Sequence, residues 1–333
     1  MLLLNLLFAC EDKPGTNEPA SEPSSEPAVE FTWDADSTVC GQIEQDSEDC
    51  GGYPDSVTVW NIAPETTACS ERGWGDTGSE WIDWRESEAA VLTVDSEGRF
   101  QGVLDAGEYG FTATSENYCF GCQSEEVSGE NCTMISLTIE ENVSVDAPNI
   151  YIYPLEPTAV HVQVAKPERI TISDPVYPRG GWWAVAEPDG QLLTKEGWKD
   201  YLFYETLMPP KAFQRNEGWC VPGEQAQFSI EDSMSDYGFL ANEIIDFSDF
   251  WDSEFPQSKW MTVYPQVDDL LPVGISPRPD SFLRVWYLIE DGCKAVTPLE
   301  FEAPKRIGFH AAEWGVIISG GLKGPEVVMG LLP

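Results

Sequence analysis

Positive charge is scarce in this chain. Only 18 Lys and Arg stand against 58 Asp and Glu in 333 residues, a formal net charge of −40, and between Lys13 and Lys166 the only cations are Arg72, Arg85 and Arg99. Nucleic-acid binding needs a basic footprint on phosphate, so that class is excluded; attraction to anionic lipid head groups is disfavoured for the same reason. Histidine is nearly absent: His161 and His310 are the whole complement, with no second histidine at metal-ligand spacing from either. No Gly-x-Ser-x-Gly elbow is present to raise a nucleophilic serine. Cys119-Phe120-Gly121-Cys122 lacks the second close pair of a zinc ribbon. Asp34-Ala35-Asp36 is followed by Val39 and Gln45 where an EF-hand loop has its glycine and last carboxylate. Neither a metal nor a cofactor is expected. Long apolar runs are missing as well, since the stretch before Cys10 falls short of the about 20 residues that cross a bilayer as a helix.

What that stretch offers instead is a removed export signal. Leu7, Phe8, Ala9 and Cys10 resemble the bacterial lipobox, which implies cleavage before Cys10, lipidation of its sulfur and attachment to the lipid bilayer. Several acyl chains on one residue anchor stably where a single chain does not. The implied location is the bacterial cell envelope, periplasmic or cell-surface. Residues 11–30, EDKPGTNEPASEPSSEPAVE, are almost devoid of apolar side chains and cannot bury enough surface to offset their ordering entropy. They read as a disordered acidic linker between anchor and folded chain.

Cysteine content points to export independently. Of nine cysteines, setting aside Cys10 leaves Cys40, Cys50, Cys69, Cys119, Cys122 and Cys132 in the first half and Cys220 and Cys293 in the second. Both sets are even, as two domains closing their own bridges in an oxidising compartment require. Six cysteines allow fifteen connectivities, so pairing in the first half stays open. In the second half only Cys220 with Cys293 is possible.

A mainly β architecture follows from the pattern of short strands. Val57–Trp60, Ala90–Val94, Arg99–Leu104, Tyr109–Ala113 and Met134–Ile139 are separated by turn chemistry such as Asp95-Ser96-Glu97-Gly98 and Asp105-Ala106-Gly107. This argues a β-sandwich over 31–146. The residues DSEGRFQGVLDAGEYGFTA resemble the carboxypeptidase regulatory-like, transthyretin-like sandwich, which implies a non-catalytic module; the six extra cysteines depart from that family's pattern and are read as stapling enlarged loops. A second β-rich domain is expected over 147–333. Its strands are Val160–Val164, Ile170–Ser173, Trp182–Ala186, Tyr201–Tyr204, Lys259–Tyr264, Phe282–Ile289 and Phe309–Ile318. One helical insert is read near Ala241, where Ile244, Phe247, Trp251 and Phe255 recur every three or four residues and Glu243 falls off that face. The phrases NIYIYP, YPRGGWWAVAEPDGQL, DYLFYE and GFHAAEWG resemble an uncharacterised family of bacterial secreted proteins, which implies no particular activity.

Two functional readings arise from the second domain. The first is a non-catalytic binding or structural module. Trp182, Trp183, Trp198, Tyr201, Tyr204 and Trp219 crowd about forty residues, and exposed rings give a stacking surface for a glycan or a protein partner. Trp182 and Trp183 must point to opposite faces of a shared strand, so Trp182, Trp183, Tyr201 and Tyr204 are the candidate ligand-binding residues. The alternative is a glycan-active hydrolase, because glycoside hydrolysis needs two carboxylates; Glu205 and Glu313 are the candidates, with His310 positioned to orient Glu313. His161, between Val160 and Val162, is read as an outward-facing, solvated strand position.

Overall fold

The computed structural model describes residues 31–64, 66, 68–69, 83–252, 254–319 and 322. The lipobox with Cys10 and the 11–30 linker lie outside them. The chain divides into two compact units, Met1–Trp33 and Asp34–Pro333. Of the first, Phe31 packs edge-on against Trp33 with ring centroids 4.8 Å apart.

The second unit begins with seven strands: β1 (Val39–Gln45), β2 (Ser56–Ile62), β3 (Arg85–Thr93), β4 (Arg99–Gly102), β5 (Gly107–Thr114), β6 (Phe120–Val127) and β7 (Thr133–Ile139). They form two sheets, ordered β4-β1-β7 and β3-β2-β5-β6. Alternate residues of each strand point inward, so Val39, Ile43, Val57, Val59, Phe111 and Leu137 meet in one buried core. The expected strands are all present. Two more, β1 and β6, were not anticipated: VCGQIEQ and FGCQSEEV carry too few apolar residues to show a period of two, and each is held by a cystine. Cys40 bridges Cys132, Cys50 bridges Cys119 and Cys69 bridges Cys122, with Cα atoms 5.6, 5.4 and 5.4 Å apart.

The rest of the unit contains β8 (Val143–Tyr153), β9 (Thr158–Val164), β10 (Ile170–Asp174), β11 (Trp182–Ala186), β12 (Leu192–Thr194), β13 (Gly197–Lys199), β14 (Leu202–Met208) and β15 (Trp219–Pro222). Then follow α1 (Ala226–Tyr237), α2 (Ala241–Trp251), β16 (Trp260–Gln266), β17 (Val273–Ser276), β18 (Ser281–Asp291) and β19 (His310–Ser319). A seven-stranded sheet, β10-β14-β8-β19-β18-β16-β15, stacks on a five-stranded one, β13-β12-β11-β9-β17. Ile150, Ile152, Val160, Val162, Trp182, Leu202 and Leu288 fill the space between them. The opposite face of the larger sheet carries the helices over Tyr151, Phe203, Val285, Tyr287 and Trp314. The class is therefore mainly β with a small helical insert.

β8 starts at Val143, a few residues before the boundary read at Ala147, and connects the sandwich to the larger sheet as one continuous strand. A bulge hides it in the sequence: Ala147 has φ +52°, and the register against β14 and β19 slips at this point. The helical layer also holds one helix more than expected. In α1 only Ala226, Ile230 and Met234 are buried, a stripe one residue wide, and Phe228 lies outside it at the surface. Glu243 corrects a further expectation. Far from lying on the polar face of α2, it is fully buried; it accepts the Leu240 N–H at 2.7 Å and both Arg306 terminal nitrogens at 2.6 and 2.7 Å. An acid three residues into a helix satisfies an orphan N–H, and here the arginine makes its burial tolerable.

Candidate functional site: an aromatic face on the five-stranded sheet

The two adjacent tryptophans part company on β11. Gly181, just before them, has φ +103°, and a Cβ there would stand 2.4 Å from the Val162 carbonyl oxygen; only glycine lets the chain enter the strand this close to β9. Trp182 turns inward. It is 2% exposed, donates its indole N–H to the Pro175 carbonyl at 2.8 Å and packs edge-on against Tyr177. Trp183 turns outward, is 65% exposed and lies flat on His161, with centroids 4.2 Å apart and planes 9° from parallel. The register explains the contact, because Trp183 stands opposite His161 across β11 and β9.

His161 thus faces outward as expected but is not solvated. It is covered by Trp183, and its Nε2 lies 2.7 Å from the Gly180 carbonyl. The same face continues sideways. Val185 pairs with Leu193, and Leu193 pairs with Trp198; all three are exposed, Trp198 by 56%. With strands about 4.8 Å apart, the two exposed indoles are offset laterally by roughly 10 Å. Beside the Trp183–His161 stack opens a groove of about 880 Å³, lined in part by His161, Gln163, Arg278, Asp280 and Phe282.

The other aromatic candidates are not on this surface. Tyr204 is fully buried between the sheets. Tyr201 is half-buried on the helix side, packed against Tyr151 at 5.5 Å.

The candidate carboxylates are not brought together either. Side chains alternate across a strand: Tyr204 joins the core between the sheets and Phe203 the helix-side core, so Glu205 projects to the helix side. Glu313, between Ala312 and Trp314 of the helix-side core, projects the other way. It is fully buried, and both its oxygens are engaged. Tyr204 Oη donates at 2.8 Å and Trp286 Nε1 at 3.1 Å to Oε1, and Arg284 Nε donates at 2.7 Å to Oε2. Arg284 also pairs with Asp269. Desolvation works against the Arg284 charge, but Glu313 outweighs it and holds the proton above the usual arginine range. Burial and the same carboxylate keep the Tyr204 phenol protonated. His310 lies three residues from Glu313 on the helix side, stacked on Tyr153 at 5.1 Å with Nδ1 3.0 Å from the Gly308 carbonyl; it does not orient Glu313.

Glu205 has a different neighbour, one that gave no sequence signal. Asp146 lies on the adjacent strand, and both are buried, 6% exposed each. Burial, then repulsion by Asp146, pushes the Glu205 carboxyl up to about 8; burial pushes Asp146 up to about 6, with Ser144 opposing it. Both values are raised on folding, so their stabilising contribution is complete below the ordinary carboxylate range and is lost as pH rises through about 6 and then 8. In chelator-containing buffer, thermal stability is expected to decline between about pH 4 and pH 8. Glu205→Gln is expected to remove the upper part of that decline and to add on the order of 2 to 4 kcal/mol at about pH 8.5. Identical pH profiles for the two proteins in thermal melts would count against this account of the pair.

Four disulfides place the folded residues in an oxidising compartment. Among the described residues no helix is long and apolar enough to cross a membrane. No family model matches this chain, and no curated protein matches it. Among solved structures, a DUF3823 family protein from Parabacteroides merdae aligns with 51% of this chain and 96% of its own, at 12% identity and a TM-score of 0.19.

Proposed function

We propose that this is a lipid-anchored protein of the bacterial cell envelope that acts as a non-catalytic binding module, with the outer face of the five-stranded sheet as its glycan-binding surface and a transthyretin-like sandwich as its spacer. The observation that carries the reading is Trp183. An indole left 65% exposed, held flat by a histidine beneath it, is a pre-ordered stacking plate whose apolar face suits the C–H face of a sugar ring. Trp198 on the same face supplies a second ring, and the adjoining groove supplies polar groups at its edge. A chain this acidic repels acidic surfaces, which favours neutral sugars as ligands. The engagement of Glu313 by three neighbours supports binding over hydrolysis, since none of its oxygens is free for a substrate.

Trp183→Ala is expected to weaken binding to a neutral polysaccharide at least tenfold, measured by affinity electrophoresis across a glycan panel. Stability should change little, because the ring is not core. Trp182→Ala is expected to cost about 3 to 5 kcal/mol of stability instead. Equal binding by wild type and Trp183→Ala across every glycan retained would sink the assignment of this face.

Anchoring is tested separately. Cys10→Ser is expected to move the protein from the membrane fraction to the soluble fraction and to abolish labelling by a fatty-acid analogue; labelling that persists in Cys10→Ser rules out lipidation at that sulfur.

A further inference from the structure

Among the described residues, the buried carboxylates Asp83, Glu243 and Glu313 are each paired with an arginine, and two others are not. Glu243 is held by Arg306 through two hydrogen bonds, and Glu313 is held by Arg284. Asp146 and Glu205 are buried too, 6% exposed each, yet no Lys or Arg pairs with either among the described residues. Leaving two buried negative charges without a cation costs several kcal/mol per ion.

The register shows what shares their space. Asp146 stands opposite Val316 and Asn149 opposite Trp314 on β19; Glu205 stands opposite Ile172 on β10. Val316, Trp314 and Ile172 all belong to the helix-side core, so Asp146, Asn149 and Glu205 emerge on one face of the sheet. The β8 bulge at Ala147 brings this about, because an extra residue re-aims the side chains around it. Two oxygens here lack any hydrogen-bond partner, Asn149 Oδ1 and Glu205 Oε1. Asn149 is 1% exposed, so its orphan oxygen is an observation independent of the acids. Thr206 Oγ1 is also unpartnered but pairs with Val145 on the opposite face.

We propose that Asp146, Glu205 and the Asn149 side-chain oxygen form a binding site for one calcium ion. The donor set is entirely oxygen, with no nitrogen or sulfur to select a transition metal. Two carboxylates balance a divalent charge, and an amide oxygen adds a neutral ligand. Calcium accepts irregular arrangements of six to eight oxygens with water completing the shell, whereas magnesium demands a near-ideal octahedron and dehydrates reluctantly. The ligands sit on two strands, with Asn149 and Glu205 far apart in sequence, which is why no metal spacing is visible in the chain. Calcium would bind where a proton otherwise neutralises the pair, joining β8 and β14 near the start of the larger sheet.

The test uses the intact oxidised chain, stripped with a chelator and exchanged into about 150 mM NaCl to screen its surface charge. Calorimetric titration with calcium chloride is expected to show one saturable site with Kd between about 10 µM and 1 mM. Millimolar calcium should raise the melting temperature more than magnesium does. Glu205→Gln should weaken the site at least tenfold while remaining folded by circular dichroism. Asp236→Asn, which removes an exposed carboxylate on α1, should leave it unchanged. A wild type with no saturable calcium heat, a Glu205→Gln protein that titrates like wild type, or stability that responds to pH but not to calcium would each overturn the proposal.

Discussion

Replacing Glu313 by alanine is expected to destabilise the protein by about 3 to 5 kcal/mol, the largest loss foreseen for a single charged side chain. The reason is what remains behind. Arg284, with a side chain 15% exposed, loses its main partner while staying between the sheets, and Tyr204 Oη and Trp286 Nε1 lose their acceptor. A buried donor left unmet costs about 1 to 3 kcal/mol, more when charged. Glu313→Gln keeps an acceptor for the tyrosine and the tryptophan but not the charge, so an intermediate loss is expected. Pairing Glu313→Leu with Arg284→Met should recover only the part due to the unpaired Arg284 charge, because an apolar pair avoids the desolvation of both ions while Tyr204 Oη and Trp286 Nε1 stay without an acceptor. Denaturant midpoints at constant slope give the comparison. A Glu313→Ala loss below about 1 kcal/mol would mean that the network contributes little. Glycan hydrolysis abolished by Glu313→Gln would instead favour the hydrolase alternative.

Removal of the Cys220–Cys293 bridge is expected to be nearly as costly. Its Cα atoms are 5.4 Å apart and it spans 73 residues of sequence, a loop whose closure contributes about 4 kcal/mol on the chain-entropy model. It also has a structural task. β15 is one of the two edge strands of the larger sheet and, among the described residues, pairs with β16 alone, and the bridge ties it to the segment after β18. In Cys220→Ser/Cys293→Ser, the edge strand should exchange its amide hydrogens much faster than β8 or β19, which are paired on both sides. Intact-mass analysis of the wild type should find no free thiol among Cys40, Cys50, Cys69, Cys119, Cys122, Cys132, Cys220 and Cys293. A double variant as stable as wild type, with β15 equally protected, would show that strand pairing alone secures the edge.

Features that rest on local periodicity, turn chemistry and counting were legible in the chain before any tertiary contact was known. Trp182–Ala186 read as a strand because it is a short apolar run, bounded by glycines before it and by a Pro-Asp-Gly turn after it, and α2 read as a helix because Phe247 and Trp251 recur on one face. Two cysteines left in the second half could only join each other. Sequence also required Trp182 and Trp183 to face opposite ways, but not which of them faced out. That depended on the fit of Gly181 against β9 and on His161 standing opposite Trp183, a contact between strands. Charge was the least legible property. Glu205, Glu243 and Glu313 look alike in the chain, yet tertiary structure gave Glu243 and Glu313 an arginine from distant sequence and set Glu205 beside Asp146 with none. A carboxylate's role depends on what fills the few ångströms around it once water is removed, and those neighbours come from other strands.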